Sequence, residues 1–178
     1  MNNDFIKLVQ RRIASTSISA STARGMGPKG TIEKARKFLK NIDLNLFGKV
    51  ENQTEFEELL DKKTEKLRRS LPAGARHWGS SRKFLNIFLR GAFYNRYLYK
   101  AYRLQKLELW LEIPLDREVS KGLRLERDYK LPAWKSVISI DQDTNKLYQN
   151  VARKLAKKKN VRRVHLDLWY WRNLGHEG

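Results

Sequence analysis

The sequence predicts an all-α fold, and three observations carry that expectation. Apolar residues recur at three- and four-residue spacing in several segments. Period-two alternation, the mark of a half-buried strand, is confined to Val164, Leu166 and Leu168. The stretch "GSSRKFLNIFLRGAFYN" (79–95) is too apolar for a surface helix, so it predicts a central buried helix with a group of helices on either side.

Residues 4–13 have helical spacing at Phe5, Leu8 and Val9. The following Ser/Thr/Gly-rich stretch, 14–30, reads as a loop or mobile segment, and Thr31 can cap a helix over 32–42. Residues 54–70 form an amphipathic helix with Phe56, Leu59, Leu60 and Leu67 inward. A turn containing Pro72, Gly74 and Gly79 leads to the apolar helix, expected from about Ser80 to Leu104. Pro114 breaks the chain before a further helix. "LPAW" (131–134) reads as a turn that starts another helix with proline at its first position. Residues 143–159 are helical and end strongly basic, while 160–174 fit strand or helix equally. No internal repeat is evident, and the 178 residues suit a single domain.

Charge points to the partner. There are 38 Lys and Arg against 19 Asp and Glu, a formal net charge of +19, which calls for a polyanion. Double-stranded DNA is the first expectation, with RNA as a second possibility. The run "RKLAKKKNVRR" (153–163) has too few apolar residues for a membrane-surface helix and reads either as a phosphate-contacting segment or as a solvated helix end. No apolar run reaches membrane-spanning length and the N-terminus lacks a signal-peptide core, so an intracellular, cytoplasmic protein is expected. The absence of cysteine excludes disulfides, thiolate nucleophiles and cysteine metal sites. The three histidines are scattered, so no metal site is expected.

"GMGPKG" (25–30) matches G-x-G-x-x-G, but no strand precedes it and Pro28 interrupts it. A backbone anion site at the next helix's start, or a plain loop, are the other readings. The carboxylates of "EFEELLD" (55–61) and "HLD" (165–167) could serve a metal-dependent nuclease. At helical spacing beside "KKTEKLRR", the first group more commonly forms surface ion pairs.

Lys83 sits in the first turn of the most apolar helix. It either snorkels to water or is desolvated, and a desolvated amine has a depressed pKa and is a nucleophile. Such an amine needs a carboxylate nearby. Asp116, at the start of the helix after Pro114, is the best candidate, although Asp there is also an ordinary N-cap.

With these residues in view, the chain resembles the helix–hairpin–helix DNA glycosylases. Leu71-Pro72 opens the turn, Gly74 and Gly79 lie within it, Lys83 follows, and Asn86 and Ala92-Phe93 continue along the helix. "IPLDREV" (113–119) is similar to that family's Ile-Pro-Val-Asp segment. The likeness covers residues 70–123 and departs from the family in three places. The turn is longer than the usual hairpin and lacks Gly-x-Gly before the lysine. Lys83 and Asp116 are 33 residues apart. Glu118 stands where the family has histidine. The turn and spacing are nearest in style to the archaeal 8-oxoguanine glycosylase branch.

The resemblance implies a bifunctional DNA glycosylase/AP lyase of base-excision repair, acting on lesion-containing duplex DNA without metal or cofactor. Lys83 would be its Schiff-base lysine and Asp116 its catalytic aspartate. Arg76, His77, Gly79, Ser80, Ser81, Arg82 and Arg117 would then contact DNA around the turn, with Lys157, Lys158, Lys159, Arg162 and Arg163 adding phosphate contacts. Trp78, Trp110, Trp134 and Trp169 are candidates to stack on a flipped base, and Trp171 is also available, though more than half are expected to pack in the core.

Overall fold

A computed structural model describes residues 2–126 and 129–173, with the side chains of 171–173 excepted. Every regular element among them is helical: α1 (Asn3–Ser17), α2 (Thr31–Lys40), α3 (Asn45–Gly48), α4 (Gln53–Ser70), α5 (Trp78–Tyr94), α6 (Arg96–Ala101), α7 (Arg117–Leu125), α8 (Gln142–Lys158) and α9 (Leu166–Asn173), joined by short 3-10 turns. The fold is all-α. No helix among the described residues is long and apolar enough to cross a membrane.

The core has two apolar clusters. The larger gathers α1, α2, α4, α5 and α6 around Phe47, Phe56, Phe84 and Phe88. The smaller joins the segment before α7 to α7, α8 and α9 through Ile113, Val119, Tyr148 and Leu166. The central helix is α5, whose Phe84, Leu85, Phe88 and Leu89 have no solvent exposure. At roughly 1.5–3 kcal/mol for each fully buried side chain, those four alone contribute about 6–12 kcal/mol. That is enough to carry a polar burden on the same helix. Gly79 lets the turn at Val137–Ser139 cross the first turn of α5, because a Cβ there would collide with the Val137 carbonyl. Gly122 does the same for α7 against the Tyr170 ring of α9.

Several sequence expectations are corrected. The inward face of α1 is Ile6, Gln10 and Ala14, leaving Phe5 and Leu8 exposed. Gln10 reaches the Ile42 carbonyl at 2.8 Å, so a polar residue that hydropathy assigns to the surface holds part of the buried face. The 14–30 stretch is not a free loop. α1 continues to Ser17, and Ile18 and Met26 are buried anchors for the rest. "GMGPKG" has no strand before it, and Gly27 and Pro28 pack on the turn before α5 through Ala75 and Gly74. The N-cap of α2 is Gly30, at φ 92°, while the Thr31 hydroxyl donates to the Pro28 carbonyl at 2.7 Å. The long helix expected to reach Leu104 ends at Tyr94, because the Asn95 side chain accepts from the Tyr97 and Leu98 amides and starts α6. No helix begins at Pro132. Its carbonyl accepts from the Tyr148 hydroxyl at 2.8 Å, and α8 starts ten residues later on an Asp141 cap. The ambiguous 160–174 stretch is helical from Leu166, its alternation broken by a 3-10 turn at Arg163–His165.

Candidate functional site

Lys83 does not snorkel. It is 7% exposed, and its Nζ lies 3.4 Å from the Thr22 carbonyl and 3.9 Å from Asp116 Oδ2. Burial lowers its pKa from the ordinary lysine value, and the Asp116 charge opposes that shift without cancelling it. The docked 18–30 segment thus forms a wall of the site and supplies a carbonyl to the amine.

Asp116 plays both parts that its sequence position suggested. Oδ1 accepts from the Val119 amide at 3.0 Å and caps α7, while Oδ2 faces Lys83. The preceding residues 111–115 are buried and have no regular secondary structure. Pro114 suits this, since it withholds no N–H that a helix would need there.

The pair opens into a cleft of about 570 Å³ between α1, the 18–30 segment, α5 and α9. Thr16, Ser17, Ser21 and Thr22 supply hydroxyls, while Ile13, Ile87, Pro114 and Leu168 supply apolar wall. A second ion pair, Arg90 with Asp167, lines the same cleft.

Behind α5, a buried polar network fixes the geometry. Arg82 and Asn86 flank Lys83 at one residue before and three after. Arg82 Nε lies 3.3 Å from Glu112 Oε2, and Asn86 Nδ2 donates to it at 2.9 Å. Asn145 of α8 donates to the same carboxylate at 3.2 and 3.3 Å. Arg82 also pairs with Asp61 of α4 and donates to the Thr64 hydroxyl at 2.9 Å. Gln149 both accepts from the Ile113 amide and donates to its carbonyl. Residues 112 and 113 are therefore held against α5 and α8 just ahead of Asp116, which sets the carboxylate opposite Lys83.

The residues expected to contact nucleic acid divide into two groups. Arg76, Arg117, Lys157, Lys158 and Arg162 are exposed, and His77 and Lys159 are partly so. Gly79, Ser80, Ser81, Arg82 and Arg163 are buried, which corrects their expected role as surface contacts. Arg82 is spent on Asp61 and Glu112, with Trp78 packed under its guanidinium at 4.7 Å. Arg163 donates to the Leu111 and Trp110 carbonyls at 3.1 and 2.5 Å, and burial lowers its pKa to about 10. Arg153, Lys154, Lys157 and Arg162 of the 153–163 run line a groove of about 870 Å³ together with Trp110.

Among the stacking candidates, Trp110 packs on Phe56 and Trp134 on Tyr148, both as partners of the core. Trp78 is half-buried under Arg82, and Trp169 is 48% exposed beside the Lys159 ammonium. The Trp171 side chain lies outside the described residues.

The carboxylates of 55–61 diverge. Glu55 accepts from the Glu51 amide and the Asn52 side chain, Glu57 faces Arg153 at 3.9 Å, and Asp61 pairs with Arg82 and Gln142. Among the described residues no three His, Asp or Glu side chains converge as metal ligands.

Sequence reasoning missed Glu112, Arg90, Asp167 as an ion-pair partner, and Thr22. The Lys83–Ile87–Arg90 spacing was a readable signal for Arg90, since it places all three on one helix face. Nothing local marks Glu112 or Thr22, whose roles depend on contacts 26 and 61 residues away in sequence. No protein-family model, curated protein or solved structure matches the chain.

Proposed function

We propose that the protein is a lysine-dependent DNA base-excision enzyme, a bifunctional glycosylase and AP lyase. One observation carries this reading: a buried amine with a depressed pKa faces a carboxylate across 3.9 Å in an open cleft. A buried structural lysine would also take a carboxylate partner, but it would not need to face an open cleft. The net charge of +19 supports approach to a phosphate backbone, and the cleft volume suits one flipped nucleotide.

In this reading the neutral Lys83 amine attacks the deoxyribose C1′. The bond from C1′ to the base breaks, and its electron pair leaves with the base, which takes up the proton shed by the amine. Asp116 stabilises the positive charge developing on the sugar. The nitrogen lone pair then forms the C1′=N bond as the C1′–O4′ bond breaks, its electron pair leaving on O4′, which takes a proton from water, and this gives the Schiff base to Lys83. The exposed cations Arg117, Lys157 and Arg162 hold the backbone.

The deciding experiment is borohydride trapping on duplex DNA carrying a single abasic site. Wild-type protein should form a covalent complex and Lys83→Gln should form none while still binding the duplex. A mutant that still traps would remove Lys83 from the mechanism. A wild-type protein that binds DNA without trapping would instead be a non-catalytic DNA-binding protein.

A further inference from the structure

The cleft holds two ion pairs, and the proposed base-excision chemistry uses only one. Lys83 and Arg90 are seven residues apart on α5, two helical turns or about 10 Å of rise, and they share a face with Ile87 between them. Gly91 keeps this floor open, since a Cβ there would press on Ile13 at 3.1 Å and approach the Ser17 hydroxyl at 3.5 Å. Each cation meets one carboxylate from another element. Asp116 caps α7 opposite Lys83, and Asp167 in the first turn of α9 meets Arg90. Among the described residues these four are the charged side chains lining the cleft.

An Arg90–Asp167 pair inside a substrate cleft is not needed to hold α9, which already packs through Leu166 and Tyr170 in the smaller core cluster. Both partners keep some access to solvent, with side-chain exposures of 20% and 12%. A guanidinium has five donors, so one carboxylate does not saturate it, and it binds phosphate in a bidentate fork.

We infer that Arg90 is an anion subsite for the backbone phosphate on the 3′ side of the reacting nucleotide, and that Asp167 occupies it until DNA arrives. The inference rests on the lyase reading above and adds the group that assists the leaving phosphate. In the elimination, the C2′–H proton passes to the Asp116 carboxylate. The electrons of that bond form the C2′=C3′ double bond. The C3′–O bond breaks and its electron pair leaves on the phosphate, which becomes a monoester of higher negative charge. Arg90 stabilises that growing charge, and its effect falls on strand scission more than on Schiff-base formation.

The test uses the full chain and duplex DNA with one abasic site, comparing trapping and strand nicking in single turnover. Arg90→Gln should lower nicking by about 10²–10³-fold and trapping by less than about tenfold, the size expected for removing one donor to a developing anion. Arg90→Lys should recover part of the nicking, because a point charge replaces the fork. Asp167→Asn should nick at least as fast as wild type. Equal losses of trapping and nicking in Arg90→Gln, or an Asp167→Asn as defective as Arg90→Gln, would assign the pair to holding α9 and overturn the inference.

Equilibrium binding separates this from failure of the lyase reading. Whether or not the strand is nicked, Arg90→Gln should flatten the dependence of log affinity on log salt by about one phosphate contact, and Asp167→Asn should not. An unchanged slope in Arg90→Gln also overturns it.

Discussion

Replacing Asp116 by asparagine separates the two tasks of one side chain. Oδ1 caps α7 through the Val119 amide, and asparagine caps a helix about as well as aspartate, so loss of capping should cost less than about 0.5 kcal/mol. Oδ2 faces the Lys83 amine, and there the charge is lost. Loss of a preorganised group that stabilises transition-state charge typically costs about 10²–10³ in rate, and base release in single turnover should fall by that factor. DNA affinity should hold or rise, since a negative charge has been removed from a basic protein. The pH profile supplies the sharper readout. Schiff-base formation needs the free amine, so trapping rises as pH climbs through the lysine pKa. Burial lowers that pKa and Asp116 raises it, so removing the carboxylate leaves burial unopposed. The rising limb should therefore move to lower pH in Asp116→Asn even as the plateau falls. A limb that stays in place or moves upward would refute the coupling between the two residues, and an unchanged plateau would refute the assignment of Asp116 to the chemistry.

Three other outcomes follow from the same geometry. Lys83→Met should raise stability by about 1 kcal/mol at neutral pH, as is common when a strained functional group is made apolar. The depressed pKa means the unfolded chain binds the proton more tightly, so the gain should be full below the depressed pKa and vanish above about pH 10.4; urea melts across pH check it. Glu112→Ala should cost about 3–5 kcal/mol, because Arg82 loses an ion-pair partner and two amides lose a buried acceptor, and an m-value-matched denaturation midpoint near wild type would contradict the clamp. Arg162 and Arg163 are neighbours with opposite fates: Arg163→Ala should destabilise the fold by about 2–3 kcal/mol, while Arg162→Ala should leave stability alone and reduce the salt slope of DNA binding by about one.

What the sequence reveals about this fold depends on how local the causes are. α4 was legible because Phe56, Leu60 and Leu67 obey a single period, and α8 because of its helical pattern and basic end, though its Asp141 cap was not read. The end of α5 was not, because the apolar pattern runs on past Asn95 and only the side chain's choice to cap α6 breaks the helix. Polar residues caused the other misses. Gln10, Thr64, Arg82 and Arg163 are buried on partners from distant segments, and hydropathy assigns such residues to the surface. The same rule explains the site. Lys83 and Asp116 could be nominated from their positions in a helix and a cap. Their convergence required the 111–115 segment to be held by Glu112 and Gln149, and no local pattern encodes that hold.

The placement of Lys83 follows from competing demands on an amine. An exposed lysine with the ordinary pKa of about 10.4 is uncharged in only about 0.04% of molecules at pH 7. Burial on α5 enlarges that fraction but needs a helix that will not unwind around an unwelcome charge. The four fully buried apolar side chains of α5 supply that stiffness. A carboxylate in direct contact would undo the gain by holding the proton on the amine. At 3.9 Å, with a quarter of its side chain exposed and its other oxygen engaged by a backbone amide, Asp116 opposes the shift without reversing it. In the proposed reaction the cap is therefore part of the chemistry: by drawing Oδ1 toward Val119, α7 would keep the carboxylate close enough to meet positive charge on a substrate and far enough to leave the amine free.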